Sequence, residues 1–90
     1  MNISTKLKDF VNKTRWPGWY VDVRGCYCCM LTKHLISVFE GDAGELEITV
    51  DTIGPNGFFD KTLEWETLVD EQTLVIAACR FVRKYAGQIY

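Results

Sequence analysis

The chain has 90 residues, of which 48% are hydrophobic and 24% are charged, and its formal net charge at pH 7 is −2. These values are typical of a single globular domain, residues 1–90, and exclude a disordered chain, a collagen-like repeat and a coiled coil. No apolar segment approaches the roughly 18 residues that cross a bilayer, and the polar N-terminal segment lacks the apolar stretch of a secretory signal. We therefore expect a cytoplasmic protein that does not contact the membrane and keeps its cysteines as free thiols.

The acidic residues are concentrated in the middle of the chain. Residues 40–71 contain ten acidic side chains and a single lysine, whereas residues 1–39 contain six basic and two acidic side chains. Residues 72–90 add three basic side chains and no acidic one. An asymmetry of this kind bears on the choice of binding partner rather than on the fold.

Residues 4–14 predict an amphipathic helix. Ser4 is a favourable N-cap residue, and apolar side chains recur at helical spacing from Leu7 onwards. The helix must end before Pro17, because proline lacks a backbone N–H and displaces the preceding residue from the helical region.

The sequence that follows is rich in β-forming residues. Strands are predicted over residues 19–23 and 26–31, joined by a tight turn at Arg24-Gly25, and β-rich sequence continues to Glu40. The apolar residues of 27–40 also fit a 3.6-residue period, so periodicity alone leaves a helix open for that stretch. We favour the strands.

The clearest pattern in the chain predicts a β-hairpin. Residues 45–52 alternate strictly between polar and apolar side chains, and residues 58–66 form a second strand with the same alternation. Between them, the sequence GPNG (54–57) places proline and asparagine at the central positions of a β-turn.

A two-residue loop would determine which side chains of this hairpin face each other. Leu46 would lie opposite Trp65 on the inner face, which places Trp65 in the core. Three pairs of carboxylates would lie opposite one another on the outer face: Asp51 with Asp60, Glu47 with Glu64, and Glu45 with Glu66. Each like-charge pair is unfavourable by roughly 0.2–1 kcal/mol, whereas a sheet selected only for stability would alternate the signs of its charges.

A second helix is predicted from about residue 70 to residue 86. Thr67 or Asp70 can cap it, apolar side chains recur at helical spacing along it, and basic residues favour its C-terminal end, before Gly87. The predicted fold is therefore α+β, with an N-terminal helix, an antiparallel meander of four or five strands, and a C-terminal helix packed on one face of the sheet.

Three of the four cysteines and the single histidine fall within residues 26–34. Cys26 and Cys29 form a C-x-x-C pair, and together with His34 and Cys79 they supply four zinc-type ligands. No second ligand pair completes a zinc motif, and residues three apart on a strand point to opposite faces. A redox dithiol would need a strand-to-helix junction. We expect these cysteines to pack in the core, His34 to be a partly exposed turn residue, and no metal or cofactor to be bound.

The outer face of the predicted hairpin is the candidate partner-binding site. Its six carboxylates belong to Glu45, Glu47, Asp51, Asp60, Glu64 and Glu66. Carboxylates two residues apart on a strand repeat about every 6.8 Å and can engage rows of lysine or arginine as a polyanion does. We predict a small non-catalytic binding protein of the inhibitor or immunity type, which mimics nucleic acid towards a basic protein partner. Phe58, Phe59 and Trp65 are candidate apolar anchors, although the predicted register favours Trp65 as a core residue.

The sequence also leaves other functions open. An acidic face keeps a small protein soluble and protects strand edges, and the cysteines define a zinc-binding alternative. Trp16 and Trp19 lie beside basic residues and could stack on nucleic-acid bases, although the pI of 5.3 argues against direct nucleic-acid binding. A single histidine offers little material for nucleophilic catalysis. If the acidic face binds a partner, Glu47→Lys with Glu64→Lys should weaken binding while the melting temperature stays the same or rises.

Overall fold

A computed structural model describes residues 5–42, 44–55, 57, 59–68 and 70–86. The elements, in chain order, are α1 (Thr5–Thr14), β1 (Trp19–Val21), β2 (Tyr27–Met30), β3 (His34–Glu40), β4 (Leu46–Ile53), β5 (Phe59–Leu68) and α2 (Glu71–Ala86). The strands form one antiparallel sheet in which they neighbour each other in sequence order. The predicted α+β fold is confirmed, and residues 27–40 contain strands rather than a helix. Neither of the described helices is long and apolar enough to span a membrane.

The main core lies between the sheet and the two helices. Leu7 and Phe10 of α1 are both 1% exposed, as expected for a helix whose apolar residues recur every three or four positions. From α2, the buried side chains are Leu74, Ala77, Ala78, Phe81 and Tyr85. They meet alternate residues of the strands, chiefly Tyr27, Cys29, Ile36, Val38, Leu46, Ile48 and Val50. One face of every central strand is therefore used to hold the helices.

The helix ends follow local chemistry. Asp70 caps α2, because its Oδ1 accepts a hydrogen bond from the Thr73 backbone N–H at 2.8 Å. Of the two predicted caps, Asp70 is the one used, whereas Thr67 lies within β5. Helix α1 ends where Arg15 adopts a left-handed backbone with φ of 43°, two residues before Pro17. The predicted cap Ser4 and the predicted terminator Gly87 lie outside the described residues.

The β4–β5 hairpin differs from the register that the sequence predicts. Ile53 pairs with Phe59, so the loop is longer than two residues, and the ladder then shifts twice. Beyond these shifts the pairs are Asp51 with Thr62, Val50 with Glu64, Thr49 with Trp65, Ile48 with Glu66 and Glu47 with Thr67. The three predicted carboxylate pairs, Asp51 with Asp60, Glu47 with Glu64 and Glu45 with Glu66, are therefore wrong.

The longer loop and the two bulges reverse the faces of β5. Each extra residue in one strand of a pair turns the side chains beyond it to the other face. Glu47 pairs with Thr67 instead of Glu64, and this displacement by three residues, an odd number, leaves the two faces of β5 exchanged. Glu64 and Glu66 consequently lie on the helix side of the sheet, beside α2, whereas Trp65 lies on the opposite side. Trp65 is 64% exposed and Leu63 is 39% exposed, so the expectation that Trp65 belongs to the core is wrong.

His34 also differs from its prediction. It begins β3 instead of occupying a turn, and it is 8% exposed. Its ring lies 4.6 Å from the ring of Tyr85, centroid to centroid. The His34 side chain is therefore buried where the sheet meets α2. The local sequence around His34 does not indicate this contact, because Tyr85 lies far along the chain.

Candidate functional site: the open face of the sheet

The side of the sheet that faces away from the helices is called the open face below. Cross-strand pairing places Tyr20, Met30 and Trp65 on it, and their exposed fractions are 43%, 53% and 64%. Both described helices pack on the other side. The open face thus combines large exposed apolar side chains with no described helix to cover them, a combination that is typical of binding surfaces.

Trp65 is held in position by the carboxylate of Glu47. The indole Nε1–H donates a hydrogen bond of 2.9 Å to Glu47 Oε1, and the hydroxyl of Thr67 donates to the same oxygen at 3.4 Å. Glu47 itself is only 7% exposed. Because the carboxylate holds the indole, this exposed tryptophan has a defined orientation.

Gly41 leaves space for this carboxylate. A Cβ atom at Gly41 would overlap Glu47 Oε2 and would lie 2.6 Å from Glu45 Oε1. Two carboxylates therefore approach the same point of the backbone, and a side chain at position 41 would have to displace both of them. Gly41 also closes the β3–β4 turn, since its backbone N–H donates to the Glu45 carbonyl oxygen at 2.8 Å.

The six predicted site residues separate into two groups. Glu47 and Asp51 of β4 lie towards the open face, as does Glu45 just before the strand, and Asp51 accepts a 2.5 Å hydrogen bond from Thr62. Asp60 is exposed near the start of β5. None of these four carboxylates belongs to an ion pair among the residues that the structure describes.

Glu64 and Glu66 form the second group, and they are paired with α2. Lys84 Nζ lies 3.0 Å from Glu64 Oε2, the Tyr85 hydroxyl donates to the same oxygen, and Arg80 pairs with Glu66. The hydrogen bond from Tyr85 is the main reason that the pKa of Glu64 is lowered, and Lys84 acts in the same direction. These two carboxylates stabilise the attachment of the helix, and they do not extend the acidic surface of the open face.

The segment between β1 and β2 covers one end of the open face. Asp22 Oδ1 accepts hydrogen bonds from the backbone N–H groups of Arg24 and Cys26 at 2.9 and 3.0 Å, and the Arg24 guanidinium pairs with Asp22 at 2.7 Å. Arg24 also donates to Ser37 at 3.4 Å. Burial alone would raise the pKa of Asp22, but the hydrogen bonds from Cys26 and Arg24 outweigh it and lower that pKa.

Cys28 lies beneath this segment as an unreactive thiol. Its Sγ is 3.4 Å from Asp22 Oδ2 and 3.6 Å from Ser37 Oγ. Burial raises the pKa of Cys28 to about 12, and it also raises the pKa of Cys26 and Cys29. A nucleophilic or redox cysteine requires the opposite shift. The raised thiol pKa values of Cys26, Cys28 and Cys29 therefore do not favour a catalytic role for these cysteines.

The cysteines do not lie together as the ligands of a metal site would. Cys29 belongs to the core on the helix side, whereas Cys28 lies on the open face and Cys79 is exposed on α2. Within the described part of the chain, no three His, Cys, Asp or Glu side chains are placed to hold a metal ion.

Sequence reasoning named Trp65 as a candidate anchor but favoured a place in the core, and it misplaced the neighbours of Trp65 on the edge strand β5. A signal was present in α2, where Arg80 and Lys84 are four residues apart and therefore share one face of the helix. That pair of cations matches Glu64 and Glu66, which are two residues apart on a strand. Pairing the two sets would have placed both glutamates beside the helix.

No family model, curated protein or solved structure matches the chain.

Proposed function

We propose that the chain is a small non-catalytic binding module that docks its open face on a positively charged protein partner. The observation that carries this proposal is the exposed indole of Trp65, fixed by a hydrogen bond to the buried carboxylate of Glu47. Tryptophan is enriched among the residues that dominate binding energy at protein interfaces. An indole that is already oriented loses little side-chain freedom when it enters a cleft of the partner.

Charge complementarity supports a basic partner. Glu45 and Asp51 lie towards this face, Asp60 is exposed near the start of β5, and none of the three has an ion pair among the described residues, whereas Glu64 and Glu66 beside α2 are paired. A negative surface around an apolar anchor speeds association with a basic protein and fixes its orientation. Of the six predicted residues, the proposal retains Glu45, Asp51 and Asp60 as partner contacts. Glu47 has the role of orienting Trp65, and Glu64 and Glu66 have a structural role.

The partner can be sought by site-specific photo-crosslinking in extract of the native host. A benzophenone amino acid would replace either Met30 on the open face or Ile76 on the outer side of α2, two side chains of similar exposure at 53% and 59%. We expect a basic protein to crosslink from position 30 and not from position 76. The protein identified in this way would then be purified for affinity measurements.

Three variants test the purified pair. Trp65→Ala should weaken binding by about 30-fold, the loss expected of a central anchor residue. Asp51→Lys should slow association and flatten its dependence on salt, and Ile76→Ala should leave the affinity unchanged. The proposal is wrong if crosslinking is the same from both positions, or if Trp65→Ala does not change the affinity.

A further inference from the structure

A pocket on the other side of the molecule has a composition unlike that of the open face. It has a volume of about 380 Å³ and lies between the connection from α1 to β1 and the C-terminal half of α2. Trp16 and Trp19 line one wall, and Cys79, Val82 and Arg83 of α2 line the other. Its volume falls within the range of roughly 300–1,000 Å³ that is typical of small-molecule sites.

The tryptophan wall is fixed by an aromatic cluster. The ring centroids of Trp16 and Trp19 are 5.0 Å apart, and that of Tyr27 is 6.0 and 5.2 Å from them, respectively. The backbone N–H of Trp16 donates to the Tyr27 hydroxyl at 2.8 Å. Offset and edge-on packing of this kind is favourable between aromatic rings. Because the two indole planes meet at 70°, a planar ligand can lie flat on one indole only, and that indole needs no reordering.

Arg83 gives the pocket its charge. The neighbouring cations Arg80 and Lys84 are turned towards β5 and paired with Glu66 and Glu64. Arg83 instead lines the pocket, and no ion pair between described residues includes it. The described lining contains no acidic side chain, although the chain as a whole is acidic. A guanidinium at the edge of an apolar pocket selects an oxyanion that can accept its paired N–H groups.

We propose that this pocket binds a small planar aromatic anion, with its ring against the wall formed by Trp16 and Trp19 and its oxyanion on the guanidinium of Arg83. The aromatic wall provides contact area for a flat ring, and the guanidinium distinguishes an anion from a neutral molecule of the same shape. This site is separate from the open face, and the chain could bind such a ligand and a protein partner independently.

The thiol of Cys79 reports on occupancy in the unmodified protein. Cys79 is exposed and lines the pocket, whereas Cys28 and Cys29 are buried. Alkylation by iodoacetamide, followed residue by residue by peptide mass mapping, would be measured with 2-naphthoate as the probe and with its neutral amide, 2-naphthamide, as the matched control. We expect 2-naphthoate to slow alkylation of Cys79 and the amide to require a concentration about tenfold higher, as expected for loss of one charge-assisted contact.

Two variants on the same helix test the role of the guanidinium. Arg83→Gln should abolish the preference for 2-naphthoate over 2-naphthamide, whereas Arg80→Gln, which removes the same charge from the β5 side, should preserve it. If 2-naphthoate does not protect Cys79 at any soluble concentration, there is no such site. Equal protection by the acid and the amide would overturn the assignment of an anion, and this comparison on the unmodified chain stands even if Arg83→Gln does not fold.

Discussion

The two faces of the sheet hold carboxylates in different ways. On the helix side, Glu64 and Glu66 lie beside lysine and arginine side chains of α2. On the open face, Glu47 is 7% exposed, and among the described residues it accepts hydrogen bonds from the indole of Trp65 and the hydroxyl of Thr67 instead of pairing with a cation. The first arrangement attaches a helix, whereas the second orients an exposed aromatic side chain.

This difference shows why a count of charges along the chain is a poor guide to surface potential. The acidic stretch of residues 40–71 looks uniform in the sequence, yet its carboxylates have different environments. Some are paired with α2, Glu47 is buried under an indole, Asp70 caps α2, Glu71 pairs with Lys13, and others are exposed without an ion pair among the described residues. Only the last kind contributes fully to the field that a partner encounters. The contrast between the faces can be tested by changing each of them separately.

The largest expected effect comes from truncating the helix-covered face. Phe81 is 1% exposed in the core, and Phe81→Ala should lower the free energy of unfolding by about 3–5 kcal/mol through lost burial and the cavity that remains. Trp65→Ala removes a larger side chain from the open face but should cost about 1 kcal/mol or less, because water can reach Glu47 once the indole is gone. Urea unfolding followed by far-ultraviolet circular dichroism measures both. Equal losses would mean that the open face is also a core.

The next effect concerns the two glutamates that were predicted to face each other. With Glu47→Lys and Glu64→Lys, the structure predicts a fall in the free energy of unfolding of about 2–3 kcal/mol. Lysine at position 47 cannot accept the hydrogen bond from Trp65, and lysine at position 64 would lie beside Lys84. The expectation of an unchanged or higher melting temperature rested on mutual repulsion that the observed register removes. Thermal unfolding of each single variant separates the contributions, and a raised melting temperature would contradict the observed register.

Most of the fold could be predicted from the sequence because its signals are local. The amphipathic pattern starting at Leu7, the alternation over residues 45–52 and the helix capped by Asp70 each depend on neighbours a few positions away. Residues 27–40 were ambiguous by periodicity, and their β propensity proved the better guide.

The candidate site could not be predicted because it depends on register. A strand of alternating side chains fits a sheet with either face inward, and a single extra residue exchanges the two. The pattern of β5 placed Leu63 and Trp65 inward, but Glu64 and Glu66 find cations on α2, which follows later in the chain. The bulges that permit this arrangement have no mark in the sequence beyond a glycine-containing turn. His34 was misplaced for a related reason, since Tyr85 covers it from a distant helix.

The close approach at the β3–β4 turn predicts a smaller effect on the open face. Gly41→Ala should lower the free energy of unfolding by roughly 1–2 kcal/mol, because the added methyl group displaces the carboxylate of Glu47 from beneath the indole. In the background of Glu47→Ala the same substitution should cost distinctly less, so a double-mutant cycle measures the coupling. Gly44→Ala is the control variant in the same turn, because no atom lies near the added methyl group. Its own cost comes from backbone strain, since Gly44 has a φ of 85°. Zero coupling between positions 41 and 47 would contradict the described contact.

The smallest expected effect depends on pH and tests the helix-covered face. The Tyr85 hydroxyl lowers the pKa of Glu64 below the ordinary value of 4.5. A carboxyl group with a lowered pKa in the folded state stabilises the fold above its unfolded pKa, and that contribution is lost as the pH falls through the folded pKa. Tyr85→Phe removes the donor, so the pKa of Glu64 should rise and the free energy of unfolding at neutral pH should fall by about 1 kcal/mol.

The difference between Tyr85→Phe and the unmodified chain should therefore shrink as the pH drops below the ordinary pKa of a glutamate. Carboxyl-detected NMR titration of Glu64 would show the higher pKa directly, and unfolding measured across the acid range would show the converging stabilities. Tyr20→Phe, which removes a hydroxyl from the open face, should leave the titration of Glu64 unchanged. If Glu64 titrates identically in Tyr85→Phe and in the unmodified chain, its hydrogen bond to Tyr85 is not formed in solution. The polar attachment of α2 to β5 would then depend on Arg80 and Lys84 alone.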